Sequence, residues 1–187
     1  SLEKPMEVYF VDNISQLISA KVITNENYLF TQRNLPKTKV YNWRNDDDHR
    51  LIEGLLHYPP EKLQSKNLPL LVLIHSGPYA ASLNRLNLAW NNWATLAASE
   101  GWLVFEPNYR GSTGYGNQFL SEIRAKPLSL PGKDILCGID QLIKDGLVDP
   151  YKFAVGGFSY GGILTNWLIT QTKRFNVALP AAGAVDL

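Results

Sequence analysis

The sequence predicts an α/β fold: a doubly wound, mostly parallel sheet with helices on both faces, preceded by a short all-β segment. Three observations lead there. Beyond residue 36, apolar strand-like runs alternate with stretches of helical periodicity, the pattern of strand–helix–strand units. One run, "LPLLVLIH", is continuously apolar, as a strand buried on both faces must be. The stretch "VGGFSYGGIL" sets one serine between two glycine pairs where a strand gives way to a helix.

Composition is consistent with this and excludes several classes of function. With 187 residues, 45% of them hydrophobic and 11% aromatic, the chain is long enough for one good-sized core and a small appendage. Eighteen basic and seventeen acidic residues give a formal net charge of +1 with no long run of either sign. That leaves no electrostatic footprint for nucleic acid or an anionic membrane. No apolar segment reaches the roughly 18 residues of a membrane span, and residues 1–10 lack the layout of a signal peptide. The single cysteine, Cys137, has no internal disulfide partner and reads as a small buried hydrophobe in a helix. A reducing, cytoplasmic compartment fits it. No pattern points to a metal or an organic cofactor.

In chain order, "EVYFVD", "LISAKVIT" and "YLFTQ" read as small antiparallel strands, with no helix signal among them, and Pro36 marks a boundary between 1–36 and 37–187. "LIEGLLHYP" and "LPLLVLIH" follow as strands. A helix is expected within "LAWNNWATLAASEG", with Ala89, Trp93, Leu96 and Ala97 on one face and Gly101 as its stop. "WLVFEPN" is the next strand. In "DILCGIDQLIKDG", Ile135, Ile139, Leu142 and Ile143 form a helical stripe, with Asp134 near the start, Lys144 near the end and Gly146 as the stop. The remaining elements are a strand "KFAVGGF", a helix "ILTNWLITQ" with Ile163, Leu164, Trp167 and Leu168 on one side, and a strand "VALPAAG".

Gly157-Phe158-Ser159-Tyr160-Gly161 matches G-x-S-x-G in the strand–turn–helix setting that gives the motif meaning. In such an elbow a strained backbone lifts the serine hydroxyl above the sheet, and glycine on either side removes side chains that would collide with neighbouring elements. The first N–H groups of the following helix point at the same spot, where they stabilise negative charge developing on a substrate oxygen. A phosphate-cradling loop is excluded by the lack of G-x-G-x-x-G or a terminal Gly-Lys-Ser/Thr.

A second oxyanion donor is expected from the loop after an earlier strand, and "HSGP" (His75 to Pro78) ends a buried strand with Gly77 free to approach a substrate. His75 is a candidate general base or a polar residue that orders this loop. The chain order of α/β hydrolases, serine then acid then histidine, favours the second. "PNYRGSTGYG" leaves the next strand end on the same rim, so Tyr109 and Arg110 are expected beside the site; a packed turn with a solvated Arg110 is the alternative.

Together, "IEGLLHYP", "LLVLIHSGP", "NYRGSTGYG", "GKDILCGIDQLIKDGLVD" and "VGGFSYGGILTNWLITQTKRF" resemble, in family order, the prolyl oligopeptidase family of serine peptidases, and most closely its acylaminoacyl-peptidase and dipeptidyl-peptidase branches. The resemblance runs from about Tyr41 to the end. One departure is Ser76, where the usual loop reads His-Gly-Gly-Pro. The resemblance implies an α/β-hydrolase fold, Ser159 as nucleophile, backbone N–H groups of Tyr160 and Gly77 as the oxyanion hole, and Tyr109 and Arg110 on the substrate-pocket rim. It implies no cofactor, a short peptide as substrate, a possible homo-oligomer, and residues 1–36 as the end of a β-propeller.

Family members place the triad acid and histidine many tens of residues after the serine. Here no histidine follows Ser159 and Asp186 is the only acid. The expectation is therefore a catalytic domain cut short at both ends, incomplete at the C-terminus and inactive as it stands. An esterase or lipase on the same fold, or a non-catalytic binding protein, are the rival readings.

Overall fold

A computed structural model describes residues 6–85 and 93–185. The N-terminal stretch holds a two-stranded antiparallel pair, β1 (Tyr9–Phe10) with β2 (Lys21–Val22), separated by a 3₁₀ turn at Ile14–Ser19 and followed by α1 (Tyr28–Thr31). The expected strands over "LISAKVIT" and "YLFTQ" therefore shrink to two residues in the first and give way to a helical turn in the second. Asn13 accepts from the Ser15 amide through its side chain and starts the 3₁₀ turn, a local competition that strand-like alternation does not reveal.

The main sheet begins at Lys37. Its strands are β3 (Lys37–Arg44), β4 (Leu51–Tyr58), β5 (Leu68–Ile74), then, after α2 (Ala94–Ser99), β6 (Leu103–Asn108). There follow α3 (Gly116–Ser121), α4 (Ser129–Lys144), β7 (Val148–Phe158), α5 (Tyr160–Gln171) and β8 (Val177–Ala181). The order across the sheet is β3-β4-β6-β5-β7-β8. The pairs β6–β5, β5–β7 and β7–β8 are parallel, whereas β3–β4 and β4–β6 are antiparallel. This is the expected mostly parallel architecture. The edge strand β3 was not expected: of its eight residues only Trp43 is buried, and Lys37 and Lys39 give it the polar look of a protected edge.

The two faces of the sheet bury different cores. On one, Leu70, Val72, Phe105 and Val155 pack beneath Ile135, Ile139 and Leu142 of α4 and Leu164 and Leu168 of α5. On the other, Leu71, Val104 and Ala154 meet Ala94 and Ala98 of α2. Two helix expectations need correction. The apolar face of α2 is Ala94, Ala97 and Ala98, while Leu96 and Trp93 lie exposed, because only small side chains fit where the helix sits close to the sheet. Ala89 lies outside the described residues. Helix α4 begins at Ser129 rather than near Asp134. Pro131 is tolerated in its first turn, where N–H groups have no partner in the helix anyway, and Gly132 leaves room for the Trp167 ring of α5.

Candidate active site

Strands β5 and β7 are neighbours with Ile74 opposite Gly157, so the segments leaving their carboxyl ends emerge side by side. The first carries His75 to Pro78, the second Ser159. Ser159 adopts φ 55° and ψ −119°, a conformation rare for any residue but glycine and one that stores roughly 1–3 kcal/mol of strain. Its amide donates to the Ala181 carbonyl at 2.9 Å and its carbonyl accepts from Ile163 N–H at 3.0 Å, which fixes the turn from both sides.

The glycines answer to close contacts. A Cβ at Gly157 would lie 2.6 Å from the Gly161 carbonyl carbon, and one at Gly161 would lie 2.2 Å from the Ile74 oxygen and 3.0 Å from the His75 oxygen. Backbone thus packs on backbone, bringing the start of α5 against the loop that holds Gly77. The Tyr160 side chain is buried and its hydroxyl donates to the Pro127 carbonyl, so the residue offers the site its amide rather than its ring. Gly77, at φ 132°, has an exposed backbone at the end of this loop.

His75 does not approach the serine as a base. Its Nδ1 lies 2.8 Å from the Ser76 carbonyl oxygen and its Nε2 lies 2.9 Å from the Ser112 hydroxyl. Its ring stacks on Tyr109 with centroids 4.3 Å apart and planes 14° from parallel. Burial pushes its pKa below the ordinary value, against the pull of the Ser76 carbonyl and the charge of Glu106. Because a carbonyl oxygen only accepts, Nδ1 donates to Ser76, while the Ser112 hydroxyl gives its one proton to the Tyr109 carbonyl oxygen and lies with its oxygen against Nε2. His57 is engaged on Glu106 at 2.5 Å and Thr38 at 3.0 Å, and His49 lies exposed in the turn between β3 and β4.

Tyr109 and Arg110 directly follow β6. Both are buried, at 0% and 3% exposure, and neither lines the cavity beside the site. The physical reason lies in their partners. The Tyr109 hydroxyl donates to the His75 carbonyl at 2.8 Å, and burial together with Tyr160 pushes its pKa up. The Arg110 guanidinium pairs with Asp134, Nη2 to Oδ1 at 2.7 Å and Nε to Oδ2 at 2.9 Å, and with Asp48. Burial opposes the charge on Arg110, but the two carboxylates outweigh it. Burial likewise pushes the Asp134 carboxyl up, opposed by the hydrogen bonds from Arg110 and Asn45.

Three buried polar residues, Asp134, His57 and Glu106, escaped the sequence reading. Asp134 passed for a helix-start acid because α4 seemed to begin there. His57 and Glu106 sit on adjacent antiparallel strands, each between apolar neighbours in its own run, and meet only across the pair. They line a cavity of about 370 Å³ on the α2 face of the sheet, which His75, Ser76 and Gly157 also line. Among the described residues no cluster of three or more metal-ligating side chains is present, and no helix is long and apolar enough to cross a membrane.

A mostly parallel sheet, a serine in a strained turn between strand and helix, and a glycine-bearing loop at the adjacent strand end define the α/β-hydrolase fold. The profile of the prolyl oligopeptidase family matches residues 89–187, and the chain belongs to that family. It is 30% identical over 181 residues to the uncharacterized peptidase YuxL of Bacillus subtilis, covering 95% of this chain and 26% of that protein. Acylamino-acid-releasing enzyme 2 of Oryza sativa is 36% identical over 115 residues, 61% of this chain and 14% of the enzyme. Among solved structures, the acylaminoacyl peptidase of Pyrococcus horikoshii superposes with a TM-score of 0.77 at 24% identity, over 95% of this chain and 28% of that one. The chain thus spans about a quarter or less of the length of these relatives.

Proposed function

We propose that the chain contributes the nucleophile and the oxyanion hole of a serine peptidase that hydrolyses short peptides of the acylaminoacyl or dipeptidyl type. The observation that carries this reading is the backbone of Ser159, held at positive φ between two glycines that pack on the neighbouring strand end. Strain of that kind persists only where surrounding contacts enforce it, and here they present one hydroxyl.

In the reaction, Ser159 Oγ adds to the scissile carbonyl carbon as a base removes its proton. The carbonyl oxygen becomes an oxyanion facing the N–H groups of Tyr160 and Gly77. Collapse breaks the C–N bond, the amine leaves with a proton from the base, and water releases the acyl group from Ser159. None of the three histidines in the sequence serves as that base in this arrangement: His57 and His75 have other partners and His49 lies in the β3–β4 turn. The family relationship, and the peptidase and acylamino-acid-releasing names of two relatives, support the substrate class. Unpaired Cys137 fits a cytoplasmic setting.

The test is to measure hydrolysis of chromogenic dipeptides and acylated amino acids by the gene product that carries this sequence and by the 187-residue chain, with organophosphonate labelling in parallel. The gene product is expected to turn over and to be labelled at Ser159; the isolated chain is expected to do neither at a comparable rate. Hydrolysis of acyl esters with no peptide turnover would favour an esterase. Activity that survives Ser159→Ala would remove the serine from the mechanism.

A further inference from the structure

Asp134 is fully buried in the middle of α4, far from water and from Ser159 in sequence. Its carboxylate accepts from the Arg110 guanidinium at Nε and Nη2, from Asn45 Nδ2 at 2.7 Å, and from the main-chain N–H of Arg110 at 3.0 Å. A buried ion pair is weak evidence for stability, since well-packed apolar side chains often do as well. The main-chain contact is different. No apolar side chain can hold an amide, and this one fixes the backbone where β6 ends and the Tyr109–Arg110 turn begins.

The next links are equally direct. Tyr109 stacks on His75 and donates to its carbonyl oxygen. His75 Nδ1 in turn holds the Ser76 carbonyl at 2.8 Å. That carbonyl belongs to the same planar peptide unit as the Gly77 N–H, so fixing the direction of one fixes the other. Ser112 closes the ring, its hydroxyl lying 2.9 Å from His75 Nε2 and 2.7 Å from the Tyr109 carbonyl oxygen.

We propose that Asp134 is a positioning residue for the oxyanion hole: by clamping the backbone and guanidinium of Arg110 it holds Tyr109 against His75, and thereby aims the Ser76–Gly77 peptide. The proposal rests on the reading of Gly77 as an oxyanion donor. It separates Asp134 from ordinary core residues, because its loss changes the aim of a peptide more than the integrity of the fold.

The experiment compares Asp134→Asn, Tyr109→Phe, His75→Asn and the Asp134→Asn/His75→Asn double variant, all in the gene product that carries this sequence. Tyr109→Phe keeps the ring stack and removes only the hydroxyl, so it still reports if Asp134→Asn folds poorly. Two readouts are taken: kcat and KM on a chromogenic peptide, and amide hydrogen exchange over residues 75–77 against the strand β5 behind them. Asp134→Asn is expected to lower kcat about 10- to 100-fold with KM changed less than about threefold, as displaced oxyanion donors do. It is also expected to speed exchange at 75–77 by about tenfold or more, with β5 unaffected. The double variant is expected to be no slower than His75→Asn alone, since the two act along one path. Unchanged exchange at 75–77, or additive losses in the double variant, would overturn the proposal. Should Ser159→Ala retain peptidase activity, the nucleophile reading fails on that result alone, while the exchange measurement still decides whether Asp134 holds the loop.

Discussion

The Ile74 carbonyl oxygen lies 2.2 Å from where a Cβ of residue 161 would stand. This one proximity joins the end of β5 to the first turn of α5 and sets the spacing between the Gly77 loop and the Ser159 turn. It leaves no tolerance at position 161, because the obstructing atom is backbone in the interior of the sheet and cannot rotate away.

Gly161→Ala is accordingly expected to destabilise the protein by about 3 kcal/mol or more, through forced separation of β5 and α5. Gly146→Ala provides the contrast. Gly146 also has a positive φ, of 70°, but nothing lies within 4 Å of its Cβ position, so only the conformational penalty of about 1–2 kcal/mol applies. Urea midpoints of the two variants check the difference, and equal losses would mean that the close contact relaxes at little cost.

Ser159→Gly is expected to stabilise the fold while abolishing peptide hydrolysis. Glycine adopts φ 55° without the Cβ penalty, and relief of about 1 kcal/mol exceeds its larger entropy in the unfolded chain. Ser159→Ala keeps the penalty and loses the hydroxyl, so it should be inactive without that gain. A Gly variant less stable than the Ala variant would show that the turn is unstrained.

Acid is expected to weaken the fold through His75. Its folded pKa lies below the ordinary 6.5, so in the window between the two values the unfolded chain binds more protons than the folded one. Stability therefore rises with pH through that window: the contribution is present above 6.5 and is lost as pH falls toward the folded pKa. Denaturation midpoints at about pH 7.5 and about pH 5.5 should show a larger acid loss for the parent than for His75→Asn. Identical pH slopes would refute it.

The thiol of Cys137 should react slowly. Burial pushes its pKa up, opposed in part by the Asp46 amide 3.5 Å from its sulfur, so little thiolate is present near neutrality. Labelling by an aromatic disulfide is expected to lag a free thiol by about tenfold and to catch up in denaturant. Immediate labelling of the folded protein would contradict this placement.

The alternation of elements from β4 to β8 could be read along the chain because each carries its own periodicity: continuous apolarity in β5, the Ile135–Ile139–Leu142 stripe in α4, the Gly-Ser-Gly turn before α5. The G-x-S-x-G motif was legible for the same reason, being a local solution to a local backbone demand. Strand β3 was not, since an edge strand buries only Trp43 and shows little pattern. The first turn of α4 was hidden as well, because Pro131 and Gly132 argue against helix by propensity and are accepted only through their position and the Trp167 ring beside Gly132.

What the sequence determined by itself, then, was the alternation of the main strands and helices from β4 onward, short α3 aside, and the place of the serine among its glycines, since both depend on residues a few positions apart. Only the tertiary structure decided the roles of Tyr109, Arg110 and Asp134. In the sequence they read as two rim residues and a helix-start acid; in the fold they form one buried path from α4 to the His75 loop. The physical reason is that the free energy of a charged or phenolic side chain depends on whether a partner meets it in a low-dielectric interior, and that partner is delivered by chain crossing, from residues 24 and 34 positions away.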